Sequence, residues 1–124
     1  MTFPHLDDAG NAKIVDVSGK QVTTRTAIAS AEVRVSAQVI EALRSDAIPK
    51  GDALAVARIA GLQAAKRTWE LIPLAHPLAL EAAQVDLAVL DDRVEIRVSV
   101  STDHKTGVEM EALTAASVAA LALI

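Results

Sequence analysis

The chain has 124 residues, enough for one domain but too few for two ordinary cores. The composition is 52% hydrophobic and only 2% aromatic, which predicts a core of small aliphatic side chains. The formal net charge of −4 argues against nucleic-acid binding, which needs a basic surface, but a few cations in one cleft could hold a small anion. Without cysteine, the chain has no disulfide, thiolate metal site or cysteine nucleophile.

The opening of the chain, MTFPHLDDAG, is turn-rich and lacks the basic and apolar regions of a signal peptide. We therefore expect residues 1–13 to form an N-terminal arm and residues 14–124 to form a single domain. The longest nearly apolar stretch, residues 112–124, is too short to span a bilayer. We expect a cytoplasmic protein that contacts neither membrane nor nucleic acid, and the aliphatic surplus predicts an oligomer.

Alternating small apolar residues predict a strand over residues 25–35, and Ser36 is placed to cap a short helix over AQVIEALRS. After a break at IPKG, Asp52 is placed to cap one long helix through ALAVARIAGLQAAKRTWEL. Its predicted apolar stripe contains Ala55, Ile59 and Leu62.

Gly61 lies inside that predicted helix, where glycine costs about 1 kcal/mol relative to alanine. This cost indicates a close approach to another helix or to a sheet. Farther along, two alternating segments flank Asp91 and Asp92 and predict a β-hairpin with one wet face. The alanine-rich segment VEMEALTAASVAALALI then predicts a last helix. The whole order describes a two-layer α+β domain, with an antiparallel sheet packed on helices.

His76 stands between two prolines in LIPLAHPLAL, so it should be extended, after a helix and before a strand. Histidine can act as acid, base or phosphate donor near neutral pH. From this pattern alone, an ordinary loop histidine is the favoured interpretation.

Glu109 and Glu111 lie two apart at the opening of the last helix, which predicts one carboxylate facing a cleft and the other facing solvent. The alternative is that both only complement the helix macrodipole. Met110 between them fits packing. Dispersed cations near element ends could gather around an anion or remain a solvated surface; they are Arg25, Lys50, Lys66, Arg67 and Lys105.

The sequence contains no Walker A loop, GxGxxG or HExxH motif. The three histidines, His5, His76 and His104, are too scattered to predict a metal site, so none is expected.

Three segments in order resemble the cyclic pyranopterin monophosphate synthase family: VDVSGKQVTTRTA, KGDALAVARIAGLQAAKRTWELIPLAHPLAL and KTGVEMEALTAASVAAL. The resemblance implies a ferredoxin-like fold and a homohexamer built as a trimer of dimers, with active sites at dimer interfaces. It implies a lyase of molybdenum cofactor (molybdopterin) biosynthesis. Such an enzyme converts a cyclised dihydroguanosine triphosphate, made from GTP, to a cyclic pyranopterin monophosphate and releases pyrophosphate. No cofactor is implied.

By matching motif, the resemblance also implies roles for individual residues. Lys50, His76, Glu109 and Glu111 match catalytic positions. The positions implied to bind substrate are Leu74, Ala75, His76, Met110, Glu111, Arg25, Lys66 and Arg67. The family usually has LCHPL where this chain has Leu74-Ala75-His76-Pro77-Leu78, a change that removes a thiol but keeps the histidine.

The resemblance also implies residues after the last helix: a catalytic aspartate and lysine and a closing C-terminal strand, none of which the sequence to Ile124 contains. This difference leaves an alternative function open, a catalytically impaired or non-catalytic oligomeric module that binds nucleotides on the same scaffold. A purely structural assembly protein is a third alternative, and it predicts no affinity for guanine nucleotides.

Overall fold

The computed structural model describes residues 4–45 and 52–124. Its elements, in chain order, are β1 (Thr23–Arg34), α1 (Ala37–Arg44), α2 (Ala53–Lys66), α3 (Thr68–Leu71), β2 (Ala82–Val89), β3 (Arg93–His104) and α4 (Glu109–Ala122). In the described ranges, no helix combines the length and the apolarity that a membrane span needs. The predicted α+β class is confirmed, and the arrangement is consistent with a ferredoxin-like sandwich.

The three strands form an antiparallel sheet in the order β1-β3-β2. The central strand β3 pairs through Val98 with Ala29 of β1 on one side and with Val85 of β2 on the other. These three side chains are buried, and because side chains alternate along a strand, they share one face of the sheet. The helices α2 and α4 pack together and cover this face. The predicted β-hairpin with one solvent-exposed face is confirmed.

Two predicted helix caps are also confirmed. The hydroxyl of Ser36 accepts a hydrogen bond from the backbone N–H of Val39 at 3.3 Å, at the beginning of α1. The carboxylate of Asp52 accepts from the backbone N–H groups of Leu54 and Ala55, at 3.0 and 3.2 Å, at the beginning of α2. Each cap satisfies donors that have no partner inside the helix.

The single long helix predicted through TWEL is wrong, because the chain leaves helical geometry at Arg67 (φ −112°, ψ 13°). The buried hydroxyl of Thr68 donates to the carbonyls of Ala64 and Ala65, both at 3.1 Å. A threonine hydroxyl that bonds nearby carbonyls competes with the regular helix ladder. The chain therefore forms two helices, α2 and the short α3, with the break at Arg67.

Gly61 lies where α2 crosses α4 above β2. A Cβ atom at this position would lie 3.1 Å from the carbonyl oxygen of Ala115 and 3.3 Å from a methyl carbon of Val85. The predicted close approach is thus confirmed. The predicted stripe through Ile59 is wrong, because Ile59 is 57% exposed. The buried face of α2 consists instead of small residues: Ala57, Gly61, Ala64 and Ala65.

We expect Gly61→Val to lower the free energy of unfolding by about 2 kcal/mol, because a branched side chain cannot fit between α2, α4 and β2. Gln63→Val is the matched control, since Gln63 is exposed on the same helix and pays only the helix-propensity cost of about 0.5 kcal/mol. Urea denaturation measures both values. Equal losses in the two variants would contradict close packing at Gly61.

Candidate active site

A cleft of about 530 Å³ opens where three parts of the chain meet: the segment before β1, the loop after α3, and the beginning of α4. The first part contributes Pro4, His5, Val15 and Lys20, the second Ile72, Pro73, Leu74, Ala75, His76 and Leu78, and the third Thr106, Gly107, Glu109, Met110 and Glu111. The cleft therefore joins residues far apart in sequence, with acidic and basic groups beside an apolar surface.

The loop after α3 begins with a tight turn. The backbone N–H of Ala75 donates to the carbonyl of Ile72 at 3.3 Å, and the two residues between them are Pro73 and Leu74. Leu74 has a φ of 70°, the left-handed region that a side chain normally disfavours. Proline followed by a residue with positive φ is the pattern of a type II turn, which usually has glycine at the second position. Here a half-buried leucine occupies that position and lines the cleft.

His76 lies outside any helix or strand, between α3 and β2, as its position before Pro77 predicts. Its Nε2 atom is 2.8 Å from the carbonyl oxygen of Val15. Because a carbonyl only accepts hydrogen bonds, Nε2 must carry the proton and donate it. In the neutral ring, Nδ1 is then the nitrogen that can take up a proton. The hydrogen bond thus sets both the orientation and the tautomer of His76.

Glu109 and Glu111 differ strongly in environment. Glu111 is only 4% exposed, whereas Glu109 is exposed and its carboxylate lies against Gly107, leaving no room for a Cβ atom there. Both nevertheless line the cleft, since the N-terminal end of α4 faces it. Glu109 thus faces solvent, as predicted for one of the pair, but it also forms part of the cleft wall.

Burial raises the pKa of Glu111 above its ordinary value of 4.5. The nearby charge of Glu109 raises this pKa further, whereas a hydrogen bond from its own backbone N–H and the proximity of His76 lower it. Desolvation disfavours the charged form of a carboxyl group, which is the main cause of this upward shift of the pKa.

The cleft brings together most of the predicted site residues: Leu74, Ala75, His76, Glu109, Met110 and Glu111. Lys50 lies outside the described residues. Within the described ranges, Arg25, Lys66 and Arg67 do not line this cleft. The Nε atom of Arg25 donates to the carbonyl of His104 at 3.1 Å, and Lys66 and Arg67 are exposed at the end of α2.

Two ionisable residues of the cleft, His5 and Lys20, were not predicted to belong to the site. Both lie in the segment before β1, where the isolated bridge between Leu6 and Ala12 forms a small loop. Nothing in the spacing of this polar segment indicates that it lies beside His76. The neighbouring Pro4, Gly10 and Gly19 indicate turns, but they do not indicate in which direction the segment runs.

Comparison with known proteins agrees with this description. Residues 14–124 match the MoaC family. The chain is 62% identical over 120 residues to a protein of Streptomyces avermitilis named cyclic pyranopterin monophosphate synthase, covering 97% of this chain and 71% of the relative. The chain belongs to the MoaC family. A relative of the same name from Nocardioides sp. is 58% identical, and the match covers 97% of this chain and 76% of the relative. A Mycobacterium bovis protein named cyclic pyranopterin monophosphate synthase 2 is 53% identical, and the match covers 96% of this chain and 71% of the relative.

In this MoaC family member, we expect His76 to show a single neutral tautomer with the proton on Nε2, held by the carbonyl of Val15. Long-range ¹H–¹⁵N NMR spectra would identify the protonated nitrogen and show an Nε2–H signal that exchanges slowly with water. His5, which is exposed, is the internal control and should exchange fast. A proton found on Nδ1 of His76 would contradict the assigned hydrogen bond.

We also expect Glu111→Gln to raise the melting temperature at about pH 7, because the folded state then no longer keeps a buried carboxyl group that resists ionisation. A raised folded-state pKa costs stability only above the unfolded value. The gain should therefore be largest at neutral pH and shrink as the pH falls towards 4.5, the ordinary pKa of the group.

Thermal unfolding between about pH 4 and pH 8 measures this difference. Glu70→Gln, at an exposed acid in α3, is the matched control and should follow the wild-type profile. A gain of Glu111→Gln that stays constant over the whole pH range would show that burial of the charge is not its cause.

Proposed function

We propose that this chain is a cyclic pyranopterin monophosphate synthase, a phosphorus–oxygen lyase of molybdenum cofactor biosynthesis. It converts a cyclised dihydroguanosine triphosphate to cyclic pyranopterin monophosphate and pyrophosphate. The observation that carries this proposal is the cleft in which His76, Glu109 and Glu111 converge. The names of the relatives support it, since their matches cover almost the whole chain.

The carboxylates at the beginning of α4 fit a guanine-derived base. Such a base presents adjacent N–H and NH₂ donors, and a carboxylate accepts two parallel hydrogen bonds from a donor pair of this shape. The buried Glu111 is the better placed of the two acids, because a hydrogen bond at a desolvated carboxylate competes less with water. We assign Glu111 to the binding of the guanine-derived ring. We assign Glu109, at the cleft entrance, to proton transfer.

The phosphate step of the reaction needs a general base, a group that accepts a proton. A sugar hydroxyl attacks the phosphorus nearest the sugar, a new O–P bond forms, and the bond to the outer two phosphates breaks to release pyrophosphate. The hydroxyl proton has to move to an acceptor, and Nδ1 of His76 is free for this once Nε2 binds Val15. We assign this role to His76, with Leu74, Ala75 and Met110 packing against the bound ring system.

The remaining assigned residues are cations. We propose Lys50 as a catalytic lysine, and Arg25, Lys66 and Arg67 as groups that receive the triphosphate in the assembled protein. Lysine and arginine bind phosphate by charge-assisted hydrogen bonds. Because the last three do not line the cleft of one chain in its described part, the proposal requires a second subunit to bring some of them near it.

We propose a cytoplasmic homohexamer, a trimer of dimers. Apolar side chains left exposed along α4 support an assembly, namely Met110, Leu113 and Leu121. A helix that is apolar on nearly all sides is normally covered by a partner. Covering this stripe would remove apolar surface from water, at about 25 cal/mol per Å².

The test is incubation of the chain with the cyclised dihydroguanosine triphosphate. Release of pyrophosphate, together with a cyclic monophosphate product seen by mass spectrometry, is the expected result. His76→Ala should lower kcat about 100-fold or more, since removing a general base typically costs this much. Its melting temperature should change little.

His104→Ala is the matched control, because His104 does not line the cleft, and it should keep near wild-type kcat. Saturable binding of the substrate without any product would support the non-catalytic module instead. A complete absence of binding would refute both and support a purely structural protein.

A further inference from the structure

The segment before β1 contributes a cation to the cleft. The backbone N–H of Lys20 donates to the carbonyl of Val17 at 3.0 Å, which closes a turn over residues 17–20. The hydroxyl of Ser18, inside the turn, donates to Asp16 at 2.7 Å. Lys105 donates to the carbonyl of Ser18 at 3.4 Å and so ties the turn to the domain. The turn therefore has a defined position, and its last residue, Lys20, lines the cleft.

Lys20 is the one lysine or arginine among the described residues that line the cleft. Within the described parts of the chain, its ammonium group forms neither an ion pair nor a hydrogen bond, and its side chain is exposed. Lys105 differs, because its ammonium group is used in the contact with Ser18. The ammonium group of Lys20 is thus available to a ligand.

The cleft needs such a cation if it is to hold a polyphosphate. The titratable groups that line it with Lys20 are His5, His76, Glu109 and Glu111. Two carboxylates repel a polyanion, and this repulsion grows where water is partly excluded. An ammonium group in the part of the wall formed by the segment before β1 would attract the phosphates to that part and leave the carboxylates to bind the guanine-derived ring.

We propose that Lys20 is a substrate-binding residue that contacts the phosphate chain, and that the segment before β1 is part of the substrate site. This inference rests on the proposed function for the identity of the substrate. The assignment of phosphate binding to Lys20 itself rests on its position in the cleft and on its ammonium group, which is unpaired within the described residues.

The experiment compares Lys20→Ala and Lys20→Arg with Lys13→Ala in the full chain. Lys13 lies in the same segment and is exposed but does not line the cleft, so it is the matched control for loss of one positive charge. Turnover of the cyclised triphosphate gives kcat and KM, and calorimetry with inorganic triphosphate gives a Kd that does not depend on chemistry.

Lys20→Ala should raise KM, and the Kd for inorganic triphosphate, about 10-fold, the loss typical for one charge-assisted hydrogen bond. Lys20→Arg should stay within about threefold of wild type, because the positive charge remains. Lys13→Ala should leave both constants unchanged. Melting temperatures should agree in all variants, because within the described residues the ammonium group of Lys20 forms no ion pair or hydrogen bond that its loss would break.

Unchanged KM and Kd in Lys20→Ala, or equal losses in Lys20→Ala and Lys13→Ala, would refute the role of Lys20. If the wild-type chain binds triphosphate but shows no turnover, and Lys20→Ala weakens the binding, the binding site is supported and the proposed reaction is refuted. A wild-type chain that neither binds triphosphate nor turns over the substrate would refute both.

Discussion

The close contact of α2 with α4 is the constraint on which the rest of the structure depends. With valines on β3 and mostly alanines on the helices, the core can reach native density only if the backbones come close together. Gly61 permits this, since its missing side chain leaves the carbonyl of Ala115 and the methyl of Val85 within van der Waals reach. The contact fixes the position of α4, and with it the carboxylates at the beginning of that helix.

The cleft lies at one end of this packed layer, where rigid elements terminate. Glu109 and Glu111 occupy the first turn of α4, and His76 lies in the loop that follows α3. Groups held at the ends of packed helices keep their mutual distances, which proton transfer between them requires. The positions of the two acids therefore follow from the packing of α4 in the core. The segment before β1 contributes the carbonyls of Val15 and Ser18, which contact His76 and Lys105, and these two contacts join the phosphate side of the cleft to the domain.

The local elements could be predicted from the sequence because local chemistry determines them. Ser36 and Asp52 are N-cap residues that predict where α1 and α2 begin, and the alternating residues on both sides of Asp91 predict a hairpin. The break at Arg67 was missed, since its cause is a hydrogen bond of Thr68 that no periodicity reveals. His76 and Glu111 could be selected only by resemblance, because the spacing of either residue also fits an ordinary loop or a helix terminus. Lys20 could not be found by pattern at all, since its place in the cleft depends on how a polar segment folds back over the domain.

The turn at Leu74 contains a backbone conformation that is unfavourable for leucine, and neighbouring residues offset its cost. A leucine with φ of 70° costs about 1 kcal/mol that glycine would avoid, but glycine would add freedom to the unfolded chain and remove an apolar wall from the cleft. Pro73 offsets part of this cost, since its ring already fixes the φ that the first turn position needs. The last residue of the turn, Ala75, directly precedes His76, whose ring is held by a hydrogen bond to Val15. A rigid turn on one side of the histidine and a hydrogen bond on the other together hold its ring in one orientation, and a general base needs such an orientation before substrate arrives.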